Sequence, residues 1–282
     1  MIDQASGLRE LVAKKGESNS KFITVASGKG GVGKTNFAVN FSYVMANVFK
    51  QKILLIDADI GMANIHLFLD ADPSKNIKNL FMGEKIEDLI HHTYGFDALL
   101  GFSGIDDIFE LEEVSIQAIV NQLENVSKGY DYVIIDTGAG IDEKVAAFLR
   151  ASHKSYIITT PEPTALMDAY ALIKSIYNIY GYNNFKIVVN MCKNKEEGIA
   201  TFNKLKVSVK KFLGIDLELL GVLPYTNNLR KAVKQKEIVA RAYPKDGYSL
   251  NIKEICQKEL KVEKTDTNGR FWHKLMDFMG KK

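Results

Sequence analysis

The sequence has few cysteines and no long apolar run, and each shortage excludes a class of protein. Its 282 residues include two cysteines, Cys192 and Cys256. Two cysteines cannot form a disulfide framework, and they lack the C-x₂-C spacing of zinc and iron–sulfur sites. No apolar run approaches the roughly 20 residues that span a bilayer. The start, Met1 to Gln4, lacks the basic and apolar regions of a secretory signal. We therefore expect a cytoplasmic protein. A chain of this length can bury a full core, as one large α/β domain or as two smaller ones.

Charge is nearly balanced overall but is unevenly distributed along the chain. The net charge is +3, yet residues 1–184 contain 16 basic and 23 acidic side chains, whereas residues 185–282 contain 21 basic and 11 acidic ones. We expect most of these lysines to lie on solvated helix faces. A basic C-terminal third nevertheless suggests an anionic partner, either a membrane surface or nucleic acid.

Short β-branched runs alternate with longer stretches of helical periodicity. Strands are predicted at 22–26, 53–56, 132–135, 156–159, 186–189 and 219–222, and helices near 34–49, 113–128, 143–152, 164–180 and 196–213. Continuous apolar strands are typical of sheets covered on both faces, so the pattern predicts an α/β fold with a doubly wound, mostly parallel sheet. We expect a core domain at 21–262, an N-terminal element at 1–20, and a linker with a C-terminal helix at 263–282.

A phosphate-binding motif lies between the first predicted strand and the first predicted helix. Residues 28–35, here called the phosphate loop, fit G-x-x-x-x-G-K-[ST] and are Gly28, Lys29, Gly30, Gly31, Val32, Gly33, Lys34 and Thr35. Glycines let backbone N–H groups converge on phosphate oxygens, and the helix N-terminus adds a positive dipole end. Lys34 is expected to contact the β- and γ-phosphates, and the Thr35 hydroxyl to bind Mg²⁺.

The loop contains Lys29 in addition to the motif lysine Lys34. This extra lysine makes the sequence resemble the deviant Walker A motif of the MinD/ParA family of ATPases. That resemblance implies a P-loop NTPase fold, ATP and ADP as ligands, and a homodimer that encloses ATP. In that family the first lysine crosses the dimer interface to the partner's nucleotide. Its role is similar to that of an arginine finger, which stabilises charge on the transferring phosphoryl group.

Two aspartate segments extend the resemblance. Residues 57–64 resemble the family's switch I, which implies that Asp59 positions the attacking water and that Asp57 supports the Mg²⁺ shell or the water. Residues 136–140 resemble switch II, which implies that Asp136 holds Mg²⁺ through water. The resemblance also implies base contacts, with Asn190 contacting the adenine and with Pro224 and Tyr225 in the base-binding loop.

The first residues resemble one branch of that family. Residues 3–9 match the D-Q-A-x-x-L-R element of FlhG/FleN-type flagellar-number regulators at Asp3, Gln4, Ala5, Leu8 and Arg9. Switch II, Asp-Thr-Gly-Ala-Gly, is also of the FlhG form. The resemblance implies that this element stimulates the GTPase FlhF, with Gln4 as its main residue. Flagellar switch-ring proteins or a flagellar transcriptional regulator are the other implied partners.

The C-terminal residues predict an amphipathic helix. Its apolar side chains fall on one face, at Phe271, Trp272, Leu275, Met276, Phe278 and Met279, and basic residues flank them. Such a helix binds anionic lipid at a bilayer interface. We therefore expect reversible localisation at the inner face of the cell membrane. The alternative is that the same stripe packs on the protein's own core.

Two other functions remain open, and two are disfavoured. A MinD-like division-site regulator suits the core and the C-terminal helix but not the N-terminal element. A ParA-like partitioning ATPase would bind DNA through the basic third, but it leaves the aromatic stripe without a purpose, so DNA is not favoured. A metal-cluster carrier lacks its C-x-x-C pair, and a tyrosine autokinase lacks a C-terminal tyrosine cluster.

Overall fold

The computed structural model describes residues 20–59, 65–69, 71–101 and 113–261, and residues 271, 272, 274 and 275; side chains are described at all of these except 81 and 113–119. Within these ranges the strands are β1 Lys21–Ser27, β2 Ile53–Ala58, β3 Ile90–Thr93, β4 Phe96–Leu99, β5 Tyr132–Ala139, β6 Lys154–Thr159, β7 Phe185–Cys192 and β8 Glu218–Pro224. The α-helices are α1 Lys34–Asn47, α2 Lys78–Phe81, α3 Ile86–Leu89, α4 Glu113–Ser127, α5 Glu143–Ala151, α6 Pro163–Tyr180, α7 Lys195–Leu213, α8 Asn227–Lys234, α9 Val239–Ala242 and α10 Gly247–Lys261.

The strands form one sheet in the order β3-β4-β2-β5-β1-β6-β7-β8. All neighbouring pairs are parallel except β3 and β4, which are antiparallel. The predicted fold class is therefore confirmed. The carboxyl ends of the parallel strands lie at one edge of this sheet, where α/β proteins bind their ligands. β1, which leads into the phosphate loop, lies between β5 and β6 at the centre of this edge.

Helices cover both faces of the sheet, which explains the continuous apolar strands. In β1, Ile23 and Val25 pack with Phe37 and Phe41 of α1 on one face. Phe22 of the same strand belongs to a cluster on the opposite face. Burying one such side chain contributes about 1.5–3 kcal/mol, so the alternating faces of β1 hold the two helix layers to the sheet.

A hairpin at the edge of the sheet was not predicted. Strand β3 has the polar sequence Ile-His-His-Thr, and only four residues form each of β3 and β4. The turn between them is Tyr94-Gly95, with φ of 43° and 83°. Positive φ at both central residues suits a tight hairpin, and glycine adopts it without strain. An edge strand has one partner only, so it needs no continuous apolar run and gives a weak sequence signal.

The C-terminal aromatic residues are buried against the sheet. Phe271 stacks on Phe22 with 4.2 Å between ring centroids, and Trp272 meets Phe271 edge-on at 4.9 Å. The Trp272 indole Nε1 donates a hydrogen bond to Ser127 Oγ at 3.1 Å. Leu275 is buried in the same cluster. This packing, here called the docked tail, is the alternative that the sequence left open.

In this structure Phe271, Trp272 and Leu275 lie against the core, and their binding to a membrane stays a prediction. Phe22, β5 and α4 supply an apolar groove, and covering large apolar side chains there is more favourable than leaving them in water. Met276, Phe278 and Met279 lie outside the described residues. No helix in the described part of the chain is both long and apolar enough to cross a membrane.

Candidate functional site

The phosphate loop joins the end of β1 to the start of α1. Two of its glycines are required by close contacts. A Cβ on Gly28 would lie 2.1 Å from the Asp168 carbonyl oxygen, and a Cβ on Gly33 would lie 2.5 Å from Asn190 Nδ2. Gly33 also has φ of 90°. It precedes Lys34, the first residue of α1, so the free N–H groups of the helix N-terminus face the loop.

A cavity of about 540 Å³ lies between this loop and the switch segments. Lys34 and Thr35 line it from the loop, Asp59 lines it beyond β2, and Gly138 lines it at the end of β5. Sequence reasoning missed several further lining residues, among them Phe68, Asp142, Lys144 and Met191. Asp142 was detectable, because it follows switch II and caps α5 by accepting a hydrogen bond from Val145 N.

The three predicted aspartates meet at the edge of the cavity. Asp57 and Asp136 are register partners on the neighbouring strands β2 and β5. Asp57 Oδ1 accepts a hydrogen bond from Asp59 N at 3.1 Å, and its Oδ2 accepts one from Ile65 N at 3.2 Å. Asp57 thus holds the chain at both ends of the segment that follows β2. Of the switch I residues, 60–64 lie outside the described residues.

The environment opposes the ionised forms of two of these carboxyls. Burial, with smaller contributions from the charges of Asp57 and Asp59, raises the pKa of Asp136 to about 7 against the opposing effects of Lys34 and the Thr35 hydroxyl. Burial also raises the pKa of Asp59, with Lys34 acting in the opposite direction. A cation at this point would relieve the mutual repulsion of the carboxylates.

The residues present fit a magnesium ion. Asp136 is buried, and its Oδ1 atom has no hydrogen-bond partner among the described residues. An unpartnered buried carboxylate oxygen is costly unless a ligand or a water satisfies it. The hydroxyl of Thr35, the other expected ligand, is close enough to the same carboxyl to lower its pKa. A hydroxyl and a carboxylate are oxygen ligands of the kind that Mg²⁺ prefers.

Lys29 is not among the described residues that line the cavity. Its ammonium instead lies 2.7 Å from Thr164 Oγ1 and 3.2 Å from Glu162 Oε2, at the start of α6. The Lys29 side chain is 37% exposed. It is therefore held at the surface beside the cavity.

The predicted base contacts lie at the ends of β7 and β8. Asn190 is buried, with its amide bonded to backbone atoms of Val32 and Met191. Tyr225 is exposed, and its hydroxyl accepts a hydrogen bond from Arg230 at 3.2 Å. Pro224 ends β8. Tyr225 and Pro224 thus remain accessible to a base, whereas Asn190 is already engaged.

Comparison with known proteins identifies the family. A family model described as "AAA domain" matches residues 20–189. Antiactivator FleN of Pseudomonas aeruginosa is 33% identical over 84% of this chain and 85% of its own length. Flagellum site-determining protein YlxH of Helicobacter pylori is 33% identical over 99% of this chain and 100% of its own. The chain belongs to the FlhG/FleN family of MinD/ParA-type ATPases.

Solved structures support the same fold. The MinD protein of Pyrococcus horikoshii, complexed with Mg-ADP, has a TM-score of 0.67 at 22% identity and covers 88% of this chain and 99% of its own. MinD in the MinC:MinD complex of Aquifex aeolicus has a TM-score of 0.67 at 23% identity, with coverage of 86% and 96%. The protein is therefore an ATPase with the fold of MinD. The FlhG-type residues Asp3, Gln4, Ala5, Leu8 and Arg9 lie outside the described residues.

Proposed function

We propose that this ATPase controls the number and placement of flagella by alternating between a monomer and an ATP-bound dimer. The observation that carries the proposal is the end-to-end match to a flagellum site-determining protein combined with the exposed Lys29 of the phosphate loop. Slow hydrolysis would act as a timer that returns the dimer to monomers. Homodimerisation is part of the proposal because Lys29 is beside its own cavity rather than in it.

Each side chain of the site has a role in this scheme. Lys34 and the loop N–H groups would bind the phosphates, and Asp59 would orient the attacking water. Asp57 would keep Asp59 in place through its backbone hydrogen bond. Thr35 and Asp136 would hold Mg²⁺, which when bound neutralises charge on the phosphates. Lys29 of one copy would stabilise the developing charge at the site of the other. Pro224 and Tyr225 would contact the base.

The N-terminal element is proposed to stimulate the GTPase FlhF. We expect a peptide of residues 1–20 to accelerate GTP turnover by FlhF, and we expect Gln4→Ala to abolish that effect because Gln4 is the main residue of the matching element. The measurement is the GTP hydrolysis rate of purified FlhF with each peptide. A Ser6→Ala peptide is the matched control, because position 6 is variable in the element. Equal stimulation by the Gln4→Ala peptide would contradict the assignment, and no stimulation would leave the ATPase without this partner.

The docked tail is proposed to leave the core in the ATP-bound dimer and bind anionic membrane. Two tails per dimer would multiply a weak affinity. We expect co-sedimentation with anionic liposomes to be several-fold greater with a non-hydrolysable ATP analogue than with ADP. Phe271→Ala should reduce binding with the analogue, since it removes apolar area from the released tail. Equal sedimentation with ADP, with the analogue and without nucleotide would contradict the switch.

A MinD-like role in division-site placement is the second candidate. MinD of Bacillus subtilis is 26% identical over 84% of this chain. The liposome experiment does not separate the two functions, because both use a membrane-bound dimer. The FlhF experiment separates them, since that activity depends on residues 3–9.

A further inference from the structure

Asn190 connects the end of β7 to the phosphate loop. The residue is buried, with 1% of its surface exposed. Its Nδ2 donates a hydrogen bond to the Val32 carbonyl oxygen at 2.8 Å, and its Oδ1 accepts one from Met191 N at 2.9 Å. These partners fix the amide orientation. A flipped amide would place Oδ1 against the Val32 carbonyl oxygen and Nδ2 against the Met191 N–H, and neither pair can form a hydrogen bond. Both ends of the side chain are thus used by the backbone.

The Val32 carbonyl belongs to the peptide unit that also carries the Gly33 N–H. This peptide is trans, as are all others in the described chain. In a planar trans peptide the C=O and N–H bonds point in opposite directions. Holding the carbonyl oxygen toward Asn190 therefore turns the Gly33 N–H to the opposite side of the peptide, away from the Asn190 amide. Gly33 itself lines the cavity.

Gly33 is packed directly against the same amide. A Cβ on Gly33 would lie 2.5 Å from Asn190 Nδ2 and 3.6 Å from the Met191 side chain. With φ of 90°, Gly33 has a backbone conformation that other residues rarely adopt. The loop therefore approaches β7 as closely as its backbone allows, and the Asn190 amide fills the contact.

We propose that Asn190 is a positioning residue for phosphate binding, which aims the Gly33 N–H at the triphosphate by holding the Val32 carbonyl. The family resemblance implied instead that Asn190 contacts the adenine. A base contact would affect only ligands that carry a base, whereas a positioning role affects any ligand that carries the phosphates. The proposal rests on the ATPase site proposed above and is independent of the flagellar role. Because Asn190 acts through the loop, its loss should weaken every ligand that carries the triphosphate, whatever its base.

The test compares three ligands on two variants. Dissociation constants for ATP, GTP and inorganic tripolyphosphate are measured by calorimetry with Mg²⁺ on the full chain. Asn190→Asp keeps the shape and the acceptor for Met191 N but replaces the donor to Val32 with an acceptor. We expect it to weaken all three ligands by a similar factor of about ten or more, because one buried hydrogen bond is lost and the new carboxylate repels the phosphates. Tyr225→Ala is the matched variant, and we expect it to weaken ATP and GTP but not tripolyphosphate.

Two outcomes would overturn the proposal. If Asn190→Asp weakens ATP while tripolyphosphate binds as in the wild type, the residue contacts the base. If all three constants are unchanged, the hydrogen bond to Val32 does not matter for binding. Failure of the wild-type chain to bind any of the three ligands would instead contradict the nucleotide site itself.

A measurement on the wild-type chain covers the case in which Asn190→Asp does not fold. The side-chain amide of Asn190 is followed by ¹⁵N NMR. We expect its protons to exchange slowly without ligand, to shift on adding tripolyphosphate, and to remain unchanged on adding adenosine. Fast exchange in the ligand-free chain, or a shift with adenosine alone, would contradict the positioning role.

Discussion

Replacing Lys29 by alanine is expected to lower ATP turnover by about a thousandfold, within the range for removal of a cation supplied in trans. ATP binding to the monomer should change little, because Lys29 lies against Glu162 and Thr164 and is outside the cavity lining. Turnover should fall because alanine lacks the cation that would stabilise charge on the transferring phosphoryl group of the other copy. The measurements are phosphate release and sedimentation with ATP.

Two variants separate the roles in this experiment. Lys52→Ala removes the same charge at the opposite, amino-terminal edge of the sheet, where Lys52 precedes β2, and should leave turnover unchanged. Asp59→Ala should bind ATP and dimerise but hydrolyse poorly, because it loses the group that orients water and retains Lys29. Wild-type turnover in Lys29→Ala would remove the in-trans lysine from the mechanism, and wild-type turnover in Asp59→Ala would remove Asp59.

Replacing Asp136 by asparagine is expected to make the ligand-free protein more stable and the enzyme inactive. Burial raises the pKa of Asp136 to about 7 from its ordinary value of 3.8. Between those two values the native state holds a proton that the unfolded state has lost. The free energy of unfolding therefore falls as pH rises through this window, by up to about 1.4 kcal/mol per pH unit. Asparagine is neutral and removes this loss.

The expected gain for Asp136→Asn at pH 7.5 is roughly 2–4 kcal/mol relative to the wild type, with little difference near pH 4. Urea unfolding without nucleotide or Mg²⁺ at several pH values measures it. Asp216→Asn is the control, because that exposed carboxyl has its pKa lowered by Lys210 and should show no such gain. If the gain in the free energy of unfolding for Asp136→Asn did not depend on pH, the raised pKa of Asp136 would not be its cause. Turnover with Mg²⁺ should fall at least a hundredfold, since the expected metal ligand is lost.

The sequence predicted those parts of the site that lie in contiguous motifs. The phosphate loop and Asp59 follow strands, and Asp136 lies in β5 directly after its apolar run 132–135. These strands could be located from their apolar runs. The bond from Asn190 to Val32 joins residues 158 positions apart, and no local pattern indicates it. The same holds for the buried ion pair of Lys154 and Glu259, which fixes α10 to β6.

The position of the tail could not be decided from its own residues. The apolar face of an amphipathic helix must be buried, and the sequence does not say whether lipid or protein buries it. The groove that accepts Phe271 and Trp272 is formed by β1, β5 and α4, which come together only in the folded sheet. Predicting the docked tail therefore required the arrangement of the helices over the sheet.

Trp272 is an intrinsic fluorescence probe for the position of the tail. It is the only tryptophan in the 282 residues, and its indole lies buried on Phe22 and Ser127. In the docked tail, a quencher dissolved in water should have little access to it. In a bilayer interface, the same quencher should remain excluded while brominated lipid quenches strongly. The emission of unlabelled protein thus distinguishes a tail on its own core, a tail in lipid and a tail in water.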